Sequence, residues 1–172
     1  MTSKNLPDFS SLSIQELTIA YGHIILELKR RGAIRSRNII GDLGESLAID
    51  FYNSTPGLPK LQMAPLGTQN IDALSRNGER YSIKTTSSKT TGVFYGLQPK
   101  GSTETSLQKF EYVIIVRFGS DYELKGIYEL SWEQFLIFKR WHSRMNAWCL
   151  SLTREVIAAS KKIFESPDNE PI

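Results

Sequence analysis

The stretch Asn70–Thr86 constrains the fold more than any other. Asn70–Leu74 alternates in polarity, Arg76-Asn77-Gly78 reads as a turn, and Arg80–Thr86 alternates again. With a three-residue loop and Gly78 in the left-handed bulge position, Ser75 faces Glu79, Ala73 faces Tyr81 and Asp72 faces Ser82. One face of the hairpin is then Ile71, Ala73, Tyr81 and Ile83; the other is Asp72, Leu74, Arg80, Ser82 and Lys84. A two-residue Asn77-Gly78 turn would pair Asp72 with Ile83 and Ile71 with Lys84, mixing charge with core on both faces. A one-residue slip moves every side chain across the sheet, so the clean separation selects the three-residue loop. Asp72 and Lys84 are therefore expected to share a face.

The rest of the chain supplies helices and further strands around this hairpin. Residues 1–12 read as a flexible leader, 13–165 as one domain and 166–172 as a flexible tail. Ser13 with Glu16 forms a capping box, and Ile14, Leu17, Ala20, Tyr21, Ile24, Ile25 and Leu28 recur at helical spacing up to a stop at Gly32. A second helix is expected over Arg37–Tyr52, with Ile40, Leu43, Leu47 and Phe51 as its stripe. Strands are expected near Leu61–Ala64, Gly92–Leu97, Glu111–Phe118, Tyr122–Leu130 and Trp148–Leu152. Ser131 should cap a helix carrying Trp132, Phe135, Leu136 and Phe138, and a last helix is expected over Thr153–Phe164. His142 falls in a predicted loop. Helices and strands alternating in this way give an α/β class: a single domain with a mixed central β-sheet flanked by helices.

At 172 residues the chain can bury a core without disulfides or structural metal. The single cysteine, Cys149, allows no internal disulfide, and no apolar run approaches a membrane span. A cytoplasmic protein with no membrane partner is the expectation. Two histidines and one cysteine give no zinc-ligand spacing. The sequence pI of about 9.0 leans toward an anionic partner.

A strand carboxylate beside a lysine suits phosphate chemistry. Mg²⁺ prefers oxygen ligands, neutralises phosphate charge and lowers the pKa of a bound water. A neighbouring lysine can orient that water or stabilise developing charge. One carboxylate makes a poor magnesium site, so a second donor is needed. Glu45, at the border of the second helix's apolar stripe and flanked by Gly41, Gly44 and Ala48, is the candidate. The alternative is that Gly41-Asp42-Leu43-Gly44-Glu45 only places acids near a helix's positive end.

The order of helix glutamate, strand aspartate and lysine on the next strand resembles the PD-(D/E)XK nuclease-like superfamily, which includes many restriction endonucleases. The matching pieces are Gly41–Glu45, Asn70-Ile71-Asp72 and Ser82-Ile83-Lys84, within roughly residues 37–118. The resemblance implies a restriction-endonuclease-like α/β/α core and Mg²⁺-dependent hydrolysis of DNA phosphodiester bonds, with Mn²⁺ able to substitute. Asp72 and Glu45 would ligate the metal, Ile83 would lend its backbone carbonyl, and Lys84 would position the attacking water. Ser82 stands where the pattern has Asp or Glu, so it could touch the metal only through water. Two readings stay open: an endonuclease, with restriction or defence as its candidate roles, or a degenerate nucleic-acid-binding or regulatory module on the same fold.

Thr85, Thr86, Ser88 and Lys89 follow Lys84 directly and are candidates to hold a phosphate backbone, as are Arg35 and Arg37 from the first interhelix turn. Lys139, Arg140 and Arg144 form another basic cluster, equally readable as a solvated surface. A homodimer would match the symmetry of a palindromic DNA site.

Overall fold

In the computed structural model the described residues are 7–12, 14–35, 38–65, 67–119 and 123–167, and the side chains of residues 14, 15, 18 and 19 are left aside. They fall into two compact units, one ending at Ile39 and the other beginning at Ile40. The first unit holds α1, Ile14–Arg30. Its end is set by Gly32 at φ 73°, with Gly32 N–H donating to the Lys29 carbonyl and Ala33 N–H to the Leu28 carbonyl. That is a Schellman pattern, and the helix ends where Gly32 is expected to stop it. The expected cap at Ser13 lies outside the described residues.

The second unit is an α/β sheet structure. Helix α2 runs Ile39–Ser54, and the expected start at Arg37 lies outside the described residues. Then come β1 (Leu61–Met63), β2 (Ala73–Ser75), β3 (Arg80–Thr86), β4 (Tyr112–Phe118) and β5 (Leu124–Ser131). Helix α3 (Trp132–Phe138) follows, then β6 (Arg140–His142), a 3₁₀ turn at Ser143–Met145, β7 (Ala147–Cys149), α4 (Arg154–Ala159) and β8 (Lys161–Glu165). The six-stranded sheet has the order β1-β2-β3-β4-β5-β8, and only β3 and β4 are parallel. The mixed sheet with flanking helices is the fold class read from the sequence.

Hydrophobic burial occurs on both sheet faces. On one, Ala48, Ile49 and Tyr52 of α2 pack on Ala73, Tyr81, Ile83, Ile114, Val116 and Ile127. On the other, Val113, Ile115, Tyr128 and Leu130 meet Phe135 of α3, Val156 of α4, and Phe94 and Phe110 from the long β3–β4 connection. Covering both faces explains the four consecutive buried residues Val113–Val116 of β4.

Several sequence expectations are corrected. Gly92–Leu97 is not a strand; its one ladder contact is the bridge between Phe94 and Trp148. His142 is not in a loop but ends β6, and its Nδ1 accepts the Met145 N–H. The helix expected over Thr153–Phe164 stops at Ala159, and Lys161–Glu165 instead pairs with β5 as the sheet's edge. Val156, Ile157, Ile163 and Phe164 fit a helical period, but β5 otherwise leaves an edge of unpaired backbone groups. Closing that edge also sets the Phe164 ring 4.9 Å from Phe51 of α2.

Candidate active site

The observed hairpin has Ala73 opposite Tyr81 and Leu74 opposite Arg80. Ser75 N–H donates to the Glu79 carbonyl and Gly78, at φ 85°, closes the turn onto the Ser75 carbonyl. This is the three-residue-loop register, and it puts Asp72, Ser82 and Lys84 on the face opposite α2.

The β2–β3 ladder ends at Asp72, whose N–H donates to the Tyr81 carbonyl. One residue further the carboxylate replaces the strand. Asp72 Oδ2 accepts the Ile83 N–H at 2.6 Å and the Ser82 hydroxyl at 3.3 Å, and Lys84 Nζ stands 3.5 Å from the same oxygen. Among the described residues no donor reaches Oδ1. The carboxylate is thus fixed through one oxygen. Asp72 and Lys84 side chains are about one-fifth exposed, so the corner is sheltered but reachable. In an extended strand the N–H and C=O of one residue leave on the same edge. Ile83 N–H points to Asp72, so its carbonyl leaves β3 on that side too.

Lys84 has a second neighbour that the sequence did not disclose. Its ammonium lies 5.3 Å from the centre of the Phe94 ring, a cation–π contact. Phe94 is buried, as a core residue would be, while Tyr95 beside it is exposed. The Tyr95 carbonyl accepts from Asn70 Nδ2 at 2.8 Å, which ties this loop to the entry of β2, where Asn70 is left-handed at φ 62°. No spacing in the chain signals the Lys84–Phe94 meeting, because it depends on how the β3–β4 connection folds back.

Helix α2 approaches the strand from the other face. A Cβ on Gly44 would run into the Thr85 hydroxyl, so the helix backbone rests directly on β3. Glu45 is the next residue and is half-buried. Asp42, one turn earlier, is buried. The described residues contain no group of three or more His, Cys, Asp or Glu side chains able to hold a metal ion. An ion at this corner would have Asp72 Oδ1, the Ile83 carbonyl and water as donors, an oxygen-only set of the kind Mg²⁺ takes, whereas the helix that carries Glu45 packs on the opposite face of the sheet from Lys84.

The proposed phosphate-contacting residues separate. Thr85 cannot serve as its side chain stands, because its Oγ1 is buried under α2 without a hydrogen-bond partner. Period-two alternation from Lys84 already carried that information. Thr86 is buried too, and its hydroxyl donates to the Thr90 carbonyl at 2.8 Å, closing the 86–90 turn. Ser88 is exposed and donates to the same carbonyl at 3.2 Å. Lys89 is exposed, with its own carbonyl taken by Leu152 N–H. Arg35 is exposed on the first unit, and Arg37 lies outside the described residues. Cys149 is buried, and burial pushes its thiol up from the ordinary value, which suits packing rather than nucleophilic chemistry.

No protein-family profile matches the chain, and no curated protein matches it at a significant level. None of the described helices is long and apolar enough to cross a membrane.

Proposed function

We propose that the chain is a Mg²⁺-dependent endonuclease that hydrolyses DNA phosphodiester bonds, with the corner of Asp72, Ile83 and Lys84 as its centre. The observation that carries this reading is the asymmetry of the Asp72 carboxylate. Oδ2 is spent on the Ile83 N–H, the Ser82 hydroxyl and Lys84, while among the described residues no donor reaches Oδ1. A carboxylate needed only to terminate the hairpin would not require a lysine held between it and an aromatic face. The helix–strand–strand order of Glu45, Asp72 and Lys84 that resembles the PD-(D/E)XK pattern adds to it.

Asp72 Oδ1, the Ile83 carbonyl and water are the donors that would hold the ion at this corner, and Glu45 would have to reach it from the α2 side. When bound, Mg²⁺ neutralises phosphate charge and lowers the pKa of its water. The chain's own residues do the rest. Asp72 Oδ2 and the Phe94 ring together fix where the Lys84 ammonium sits. From there Lys84 donates to an attacking water or to a phosphate oxygen as charge builds on it. Ser82, buried and neutral, holds the Asp72 carboxylate in place rather than ligating metal directly.

A supercoiled plasmid incubated with Mg²⁺ should be nicked or linearised by the wild-type chain and not by Lys84→Ala, with EDTA stopping the wild type. Equal cutting by both forms would remove Lys84 from the chemistry. The buried Ser82 also motivates a second reading, a chain that binds DNA without cutting it. Binding with no cleavage in Mg²⁺ or Mn²⁺ would select that one, and Ser82→Glu is then the variant to test for gain of cleavage.

A further inference from the structure

A cavity of about 450 Å³ lies on the α2 face of the sheet, the face opposite the Asp72–Lys84 corner. Four strands supply its floor: Tyr81 of β3, Tyr112 of β4, Glu129 of β5 and Lys161 of β8. The loop after α2 rims it at Leu58, and the end of the β2–β3 turn rims it at Glu79. The volume falls within the roughly 300–1,000 Å³ typical of small-ligand sites.

Two oxygens of well-buried residues open on this cavity without a hydrogen bond. Tyr81 is only 1% exposed, yet no described group hydrogen-bonds its hydroxyl. Glu129 is 8% exposed; its Oε2 accepts the Tyr52 hydroxyl, while its Oε1 accepts no hydrogen bond from any described group. Neither oxygen is sealed from solvent, because among the described residues Thr85 Oγ1 alone is both sealed and unpartnered. Buried polar atoms ordinarily have a hydrogen-bond partner, so a pair of such oxygens facing one cavity points to a ligand that donates.

The charge selects the donor. Lys161 Nζ stands 3.8 Å from Glu129 Oε1, beyond the length of a charge-assisted hydrogen bond, on a side chain 56% exposed. An alkylammonium is thus already beside the carboxylate, held loosely enough to be displaced. Glu79 adds a second carboxylate, so the lining carries two negative charges against the single positive charge of Lys161. The phenols sense the same field: burial first, and then Glu129, raise both Tyr52 and Tyr81 above their ordinary values. A field that opposes a phenolate favours a cation. The rings of Tyr81 and Tyr112, stacked 5.1 Å apart, suit an organic cation with an apolar stem.

We propose that this cavity binds a small alkylammonium compound, whose ammonium displaces Lys161 and donates to Glu129 Oε1 and the Tyr81 hydroxyl. The inference is independent of the nuclease reading, since its residues lie on the other face of the sheet.

The test is an amide NMR titration of the full chain with n-butylamine at neutral pH, with n-butanol as the uncharged analogue and MgCl₂ as the inorganic cation. n-Butylamine should give saturable shifts centred on Tyr81, Tyr112 and Glu129, and n-butanol and Mg²⁺ should not. Glu129→Gln, which keeps an acceptor for Tyr52, should weaken binding by about tenfold or more, the worth of a hydrogen bond to a charged group. Tyr81→Phe, which removes only the hydroxyl, should weaken it in the same direction and decides the matter if Glu129→Gln does not fold. Lys161→Met should tighten binding by about two- to fivefold, the worth of an exposed ion pair that no longer competes. Lys162→Met, the same charge change one residue along, should leave it unchanged. The proposal fails if n-butylamine shifts no amide at the cavity, or if n-butanol or Mg²⁺ reproduces its shifts. It fails equally if Tyr81→Phe binds like wild type, or if the two lysine variants respond alike.

Discussion

Replacing Asp72 separates its two oxygens. In Asp72→Ala the N–H of Ile83, a residue only 3% exposed, loses its acceptor. An orphaned buried donor costs about 1–3 kcal/mol. With an unfolding entropy of about 2.1 cal/mol/K per residue, the 172-residue chain loses about 3–8 °C in Tm. Asp72→Asn keeps a side-chain oxygen within reach of that N–H, so its melting point should stay within about 2 °C of wild type, the range of a change of roughly 0.5 kcal/mol. Both variants lose the charge that the proposed metal site requires of Asp72. Groups that merely orient metal ligands are worth about 10–100-fold, so losing a ligand should slow Mg²⁺-dependent cleavage by more than about 100-fold in each. Scanning calorimetry beside single-turnover cleavage reads the two effects apart. Equal melting of Asn and Ala variants would refute the hydrogen-bond role, and a cutting Asn variant would refute the metal role.

Three further outcomes follow from the packing. Gly44→Ala should destabilise by about 1–3 kcal/mol through the clash with Thr85, and in a denaturant double-mutant cycle Thr85→Ala should recover part of that loss; strict additivity would contradict the contact. Burial first, and then the Glu129 carboxylate it donates to, raise the Tyr52 phenol above its ordinary value. A raised folded pKa means stability that is complete below about pH 10 and lost as pH climbs past it, so alkaline unfolding should be shallower for Tyr52→Phe. Hydrogen bonds from Arg80 hold the Glu111 carboxyl below its usual range. Stability present above about pH 4.3 should therefore fall as acid protonates the folded group, and Glu111→Gln should flatten that acid limb in urea melts.

The hairpin register was legible because only one pairing separates charge from core, and the Ser131 cap because Gln134 completes a capping box. The α4–β8 boundary was not, since Val156 to Phe164 satisfies a helix period and only the open edge of β5 decides against it. At the candidate site, the shared face of Asp72 and Lys84 could be read from alternation. The same alternation assigns Thr85 to the α2 side, where its hydroxyl is buried. The bond from Ile83 N–H to the Asp72 carboxylate was not legible, because it exists only where the ladder stops. Nor was the seat of Lys84 on Phe94, ten positions away through an irregular connection.

The most direct measurement is residue-resolved metal binding by NMR of the amide-labelled chain, titrated with Mn²⁺ in trace amounts and competed with Mg²⁺. The account predicts paramagnetic broadening centred on the amides of Asp72, Ile83 and Lys84, reversed by excess Mg²⁺ and absent in Asp72→Asn. Broadening centred elsewhere, or the same broadening in Asp72→Asn, would contradict it.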